Sequence, residues 1–270
     1  MPDPPEDEPL RERRGWLLEQ YRELFAAVRF LSVLPLPGEA RLFRSDETNP
    51  RLVLGSGYFS FVGIVLALLL LILVYLLGPL LPPLALAAVL VVAASLLTGG
   101  LHLDGLMDTC DGVFGGRSPE QRLEIMRDSR VGSFGVLGGV SVLLLKFAFF
   151  ASLDRQTLGI GLLSIWPTAR WVLVLVMRMF PPARRTGLGA TFRQTVSWPR
   201  LLCCGLLALL VAGFSGHLPG LLIWAVMTLA ALAIAWGLTR KLGGLTGDTY
   251  GAIAEVVEVL GLFTLLLLRT

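Results

Sequence analysis

Charge is scarce in this chain: charged residues make up 16% of its 270 positions, against 54% hydrophobic. Soluble domains average about a quarter charged, so an ordinary globular protein is excluded and a membrane protein is indicated. Cysteine is nearly absent. Cys110, Cys203 and Cys204 have no metal-ligand spacing and imply no disulfide framework. Cys203 and Cys204 fall in an apolar run and read as structural, and Cys110 reads as a small filler. Of the two histidines, His102 is expected to pack behind other groups and His217 to sit solvated on an outer loop. There is no Cys–His zinc cluster, no glycine-rich Walker loop and no serine-triad pattern. No cleavable signal peptide is evident. The start, MPDPPEDEPLRERR, reads as a disordered charged tail over 1–14, leaving 15–270 as one integral-membrane domain. The net charge of +3 gives no reason to invoke nucleic acid.

What the chain has in excess is apolar length. A span needs about 20 such residues, and the runs 53–77, 79–98, 133–153, 158–179, 200–215, 219–237 and 251–268 qualify. The expected fold is an all-α, polytopic bundle of about seven spans; the short fifth run and Pro82-Pro83 in the second leave six or eight open. Basic residues fix its orientation. Segment 1–51 and loops 99–132, 178–200 and 238–250 hold 8, 4, 5 and 2 Lys and Arg, which is 19 of the 23. The positive-inside rule puts that face, and the N-terminus, in the cytoplasm. Only Arg155 and Arg269 lie on the other face, and Lys146 and Arg170 fall inside spans.

Segment 15–34 is too interrupted by Glu19, Arg22, Glu23 and Arg29 to span. Leu17, Tyr21, Leu24, Val28 and Leu31 share one helical face, which fits an amphipathic helix lying in the headgroup layer until Pro35 and Pro37 end it. A soluble coiled-coil arm is the alternative.

The densest chemistry lies between the second and third spans, in GGLHLDGLMDTCDGVFGGRSPEQRLEIMRDSRVGSFG from Gly99 to Gly135. On a helix Asp104, Asp108 and Asp111 fall at roughly 0°, 40° and −20°, one carboxylate stripe. Solvated faces usually interleave Lys with acids, and this stripe has none. Like charges so close need a counter-ion, and all-oxygen donors suit Mg²⁺ or Mn²⁺, with substrate phosphates completing the shell. Gly99-Gly100 should break the preceding helix or admit another backbone. Ser118 should cap a further helix over about 119–130, with Pro119 at its first position and Gln121 closing a capping box. That helix would set Glu124 and Asp128 on one face, with Arg127 and Arg130 nearby.

Three other places hold charge of interest. Loop 181–199 carries Arg184, Arg185 and Arg193 without an acid, and fits an anionic substrate or anionic headgroups equally well. Asp248 sits in GGLTGDTYGA before the last span. Glu255, Glu258, Lys146 and Arg170 fall inside spans, a costly place unless they face a polar cavity or pair to brace the bundle. The echo of GGLHLDG in GGLTGDTYG is too short for an internal repeat.

Carboxylates and arginines on one membrane face suit phosphoryl transfer, where protein groups position phosphates and neutralise their charge. The residues alone lead to a metal-dependent membrane enzyme handling phosphates or diphosphates. A CDP-alcohol phosphotransferase would want Ala-Arg after the first Asp-Gly, whereas Asp104-Gly105 is followed by Leu-Met-Asp. A DxxxD prenyltransferase matches Asp104 and Asp108 but not the remaining motifs. A transporter would place its site near midplane, lined by Lys146, Arg170, Glu255 and Glu258.

From about Val28 to Leu265 the chain resembles the adenosylcobinamide-GDP ribazoletransferases, or cobalamin synthases, through GGLHLDGLMDTCDG, EIMRDSRVGSFG and GGLTGDTYGA in that order. The resemblance implies a bacterial inner-membrane, Mg²⁺-dependent enzyme of late vitamin B12 synthesis, with Mn²⁺ as an alternative ion. It would join α-ribazole or its 5′-phosphate to adenosylcobinamide-GDP and release GMP, at a site facing the cytoplasm. It makes Asp104, Asp108 and Asp111 expected metal ligands, with Glu124 and Asp128 as further ligands or the general base, and the proton goes to Asp128 or Asp111 in the expected mechanism. Arg117, Arg127, Arg130, Lys146, Arg170 and Asp248 would contact substrate. Membrane lipid is an expected partner, a homo-oligomer is left open, and the preferred ribazole form is not fixed by sequence. The acidic tail at 1–14 lies outside the family pattern.

Overall fold

The computed structural model describes residues 8–36, 55–184, 193 and 195–268, with side chains from Leu17 onward. Among them the regular structure is all helical, with one isolated bridge, Pro182 to Leu245, and short turns between the helices. Helix α1 spans Glu8–Leu31, and a 3-10 turn at Ser56–Tyr58 leads into α2, Phe59–Leu77. Then come α3 (Pro83–Leu97), α4 (Leu101–Gly115), α5 (Pro119–Ile125), α6 (Ser133–Ser152), α7 (Arg155–Met179), α8 (Trp198–Leu242) and α9 (Gly247–Leu268). Five helices are long and apolar enough to cross a bilayer, or up to six if α3 and α4, bent by 88°, count as one broken span. The protein is therefore a multi-pass helical membrane protein.

Helix α7 is the axis. Its residues from Leu158 to Met177 are mostly buried, including Trp166 and Arg170, and α2, α8 and α9 pack around it. Pro167 interrupts its backbone ladder in the middle of the bundle. There Ser60 Oγ on α2 lies 3.2 Å from the Pro167 carbonyl and 2.9 Å from that of Cys204, so one hydroxyl stitches α2, α7 and α8. The outward faces are apolar: Leu68, Ile72, Leu144, Leu206, Phe214 and Leu229 are all exposed, as a lipid-facing surface requires.

At 45 residues α8 would reach about 68 Å, more than twice the hydrocarbon thickness. It does not run straight. His217 adopts φ 48°, ψ −127°, and beyond it Gly220 backs onto the Ala212 carbonyl. Two arms, 198–216 and 218–242, therefore lie antiparallel, and both open ends return to the Arg-rich end of the bundle. Arg200 pairs there with Glu23 of α1, and Arg122 Nη1 donates to the Lys241 carbonyl at 3.0 Å.

Helix α1 starts seven residues ahead of the expected 15, and Pro9 is tolerated because it lies in the first turn. Of the anticipated charged tail, residues 1–7 lie outside the described residues. The apolar stripe divides in two. Ala27 and Leu31 are buried against the bundle, whereas Leu17, Leu18 and Tyr21 are exposed. Tyr58 Oη donates to Gln20 Oε1 at 2.7 Å, and Val33 N donates to the Leu97 carbonyl at 3.0 Å. These contacts moor the helix across the bundle's Arg-rich end.

Candidate active site

Helix α4 is aimed by the bend before it. Gly99 and Gly100 take φ 62° and 72°, a left-handed pair that side chains would strain, and the chain turns sharply into the acidic helix. Helix α4 then crosses α9 backbone to backbone. A Cβ on Gly105 would sit 2.7 Å from the Asp248 carbonyl oxygen, and one on Gly251 would sit 2.9 Å from that of His102. Only glycine permits this approach, and it brings Asp248 alongside Asp104 and Asp108.

Asp104 is exposed, and Asp108 and Asp248 are half-buried. Among the described residues this group has no ion-pair partner. Asp108 shows the consequence: burial first, then the charges of Asp104, Asp248 and Asp111, push its carboxyl up to about 6. The group holds more negative charge than its surroundings neutralise. No three His, Cys, Asp or Glu side chains among the described residues form a metal cage by themselves.

The third member of the stripe has other partners. Asp111 is buried, and its carboxylate accepts from the Gly132 and Gly135 amides, both at 2.8 Å. It caps the N-terminus of α6, satisfying amides that the helix itself leaves free. The stripe thus divides, with Asp104 and Asp108 turned to α9 and Asp111 to α6.

Helix α5 begins as its sequence signals: Ser118 Oγ accepts from Gln121 N at 3.3 Å. The reciprocal bond falls one residue early, from Arg117 N to Gln121 Oε1 at 2.9 Å. The helix ends at Ile125, short of the expected 130, so Glu124 and Asp128 do not share a helical face. Asp128 lies in the following turn, where Arg130 grips it through backbone N, Nε and Nη2. That grip holds the Asp128 carboxyl down at about 2. Arg117, Glu124 and Arg127 are exposed on the same end of the molecule.

One basic residue outside the expected substrate set comes into the group. Ala183 N donates to the Leu245 carbonyl at 2.8 Å and Leu245 N to that of Pro181 at 2.9 Å. This clip lays the chain leaving α7 against the chain entering α9. Arg184 then reaches α5, donating from Nη2 to the Leu123 carbonyl at 2.8 Å. Burial and the repulsion of Arg127 press its pKa down, while Asp248 draws it up. Arg193 is exposed, and Arg185 lies outside the described residues. The acid-free loop was the available signal for Arg184; its placement opposite Asp248 was not readable.

Lys146 and Arg170 lie deeper, in a closed ion network. Lys146 Nζ meets Glu255 at 2.7 Å and Glu258 at 2.6 Å, and Arg170 Nη1 meets Glu258 at 2.7 Å. All four are buried, two of each sign, and they join α6, α7 and α9. His102 is buried within electrostatic reach of Arg170, Glu258 and Lys146. The structure thus seats these two cations beneath the acidic group, with carboxylate partners of their own.

Comparison with known proteins agrees with this arrangement. Residues 23–266 match the family described as cobalamin-5-phosphate synthase. A protein of Roseiflexus sp. (strain RS-1) named adenosylcobinamide-GDP ribazoletransferase is 43% identical over 95% of this chain and 93% of its own. Proteins of the same name from Desulfitobacterium hafniense (strain Y51) and Klebsiella pneumoniae (strain 342) are each 38% identical, over 91% of this chain and 98% and 99% of theirs. No solved structure matches the chain. With the family's match reaching across almost the whole helical bundle, the chain belongs to the cobalamin-5-phosphate synthase family of transferases.

Proposed function

We propose that this protein transfers the adenosylcobinamide-phosphate part of adenosylcobinamide-GDP to α-ribazole or α-ribazole 5′-phosphate, releasing GMP, at the Arg-rich end of its bundle. The observation that carries the reading is the meeting of Asp104 and Asp108 on α4 with Asp248 on α9, with no ion pair among the described residues, in a chain of this family.

The site faces the cytoplasm in this reading. Among the described residues Arg155 is the basic residue of the opposite end, where it donates to the Gly78 carbonyl. Counting α2, α3, α6, α7, the two arms of α8, and α9 gives seven crossings, with α4 and α5 on the cytoplasmic side. The exposed apolar face of α1, Leu17, Leu18 and Tyr21, supports a helix seated in the headgroup layer.

The crowding of carboxylates around Asp108 supports a Mg²⁺ site in which waters and substrate phosphates would supply most of the shell. Asp104 and Asp108 would hold the ion, with Asp248 beside them, and Mn²⁺ would fit the same donors. When bound, such an ion neutralises charge on the diphosphate and on the departing GMP. Asp111, one of the residues expected as ligand or base, is placed to position α4 against α6. Asp128 is a weak proton acceptor while Arg130 holds it. A carboxylate of the Asp104, Asp108 and Asp248 group, or the exposed Glu124, would then accept the proton of the attacking ribazole hydroxyl. The hydroxyl oxygen then forms its bond to the phosphorus on the cobinamide side, and the bond to the GMP oxygen breaks in line. Arg127 and Arg117 line the same end for phosphate oxygens.

A transport reading is disfavoured, because the charges at depth are balanced and closed on one another. The test is turnover. Detergent-solubilised protein given both substrates and Mg²⁺ should release GMP without any gradient, stop with EDTA, and resume with Mg²⁺ or Mn²⁺. Folded protein that released no GMP with any metal would end the transferase reading.

A further inference from the structure

Resting on that reading, we propose that Arg184, with Arg127 beside it, is the diphosphate-binding arm of the site, facing the carboxylates from the loop between α7 and α8. Three observations converge on it. The Pro181–Ala183 clip to Leu245 fixes the loop three residues before Asp248, so Arg184 enters the site from a backbone that is itself hydrogen-bonded. Among the described residues Nη2 of its fork holds the Leu123 carbonyl, and Nε is buried without a hydrogen-bond partner. Its electrostatic neighbours are a like charge, Arg127, and an opposite one, Asp248.

Two guanidiniums near one another, beside carboxylates that seek a cation, are mutually unfavourable in isolation. An anion carrying its own divalent cation resolves both imbalances: phosphate oxygens face the arginines, and the cation faces the acids. A diphosphate fits better than a single acceptor phosphate, because it offers oxygens on two adjacent phosphoryl groups to two forks. It is also the group present in every turnover, whichever form of α-ribazole is used. The Leu123 contact adds a positioning role, since the same side chain ties the short α5 to the loop.

The test uses purified full-length protein, Arg184→Gln and Arg184→Lys, with GDP and guanosine as equilibrium-binding probes in the presence of Mg²⁺. The GDP dissociation constant should rise about tenfold or more in Arg184→Gln and less in Arg184→Lys, with guanosine binding unchanged. The KM for adenosylcobinamide-GDP should rise in parallel with unphosphorylated α-ribazole as acceptor. A lowered unfolding temperature with unchanged GDP binding would make Arg184 a strut and overturn the proposal. So would a KM effect confined to α-ribazole 5′-phosphate, which would assign the residue to the acceptor. If Arg184→Gln does not fold, GDP binding by Arg184→Lys decides: a clear weakening supports the proposal and wild-type affinity overturns it. GDP binding is read without turnover, so absent GMP release in wild-type protein sinks the transferase reading separately.

Discussion

Two groups of charges lie two helical turns apart on α9, and they differ in what surrounds them. Glu255 and Glu258 close on Lys146 and Arg170 at 2.6–2.7 Å, deep in the bundle, with sign matched to sign. Asp248 instead joins Asp104 and Asp108 near the surface, acid against acid. The first group is balanced in charge as folded, with Arg170 Nε the one buried nitrogen of its cations left without a hydrogen bond among the described residues. The second carries a mutual repulsion that a proton or a cation would relieve, and imbalance of that kind is more frequent at functional sites than elsewhere.

The sharpest way to break this contrast is to neutralise one acid in each group. Asp108→Asn should lower GMP release about a hundredfold or more, since a lost electrostatic contact to the reacting group commonly has that effect. Its metal-free unfolding temperature should be no lower than wild type, because one repulsive charge is gone. Near-wild-type turnover in Asp108→Asn would remove the metal role. Lys146→Met should behave in the opposite manner. It strands Glu255 with no cation of its own, destabilising the fold by about 3–5 kcal/mol. The activity of whatever protein remains folded should be largely kept. Thermal unfolding in detergent reads the difference, and Lys146→Met combined with Glu255→Gln should recover much of the loss.

How much of this contrast was legible beforehand differs between the two groups. The apolar runs announced the helices, the Gly99-Gly100 pair announced the bend, and Ser118-Pro119 announced α5. Each is a local signal: run length, positive φ, a capping hydroxyl. The stripe of Asp104 and Asp108 was also local. That Asp248 completes it, while Asp111 leaves to cap α6, depends on the α4–α9 crossing and on contacts between residues far apart in sequence. Periodicity carries no information about such contacts. The ion network was half legible: sequence left a polar cavity or a brace of paired charges open while putting Lys146 and Arg170 among the substrate contacts, and the structure shows the pairing. Helix α5 was read too long because Met126 to Arg130 suit a helix by composition, whereas the Arg130 grip on Asp128 favours a turn.

Proton and metal should compete for the acidic group, which sharpens the contrast through pH. Asp108 titrates near 6 in the fold against 3.8 for a free aspartate, so the folded state binds the extra proton between these values. Stability of the metal-free protein from this group therefore rises as pH falls through 6 and is lost as pH rises through it. The unfolding temperature in EDTA, wild type minus Asp108→Asn, should increase from pH 7 to pH 5. The increment produced by Mg²⁺ should shrink over the same range. A flat difference would place the proton elsewhere.

The smallest effect belongs to Asp128→Asn. Its partner Arg130 is 88% exposed and Asp128 40%, so the pair is surface-screened. Turnover within about twofold of wild type is expected, and a large loss would return Asp128 to the reacting centre.

The most direct test of the contrast is Mn²⁺ binding, followed by electron paramagnetic resonance in detergent with adenosylcobinamide-GDP present. Wild-type protein and Lys146→Met/Glu255→Gln should both bind Mn²⁺ at the substrate, and Asp108→Asn should lose it. Mn²⁺ retained in Asp108→Asn, or lost on changing the buried network alone, would contradict the assignment of the unbalanced acids as the ion site.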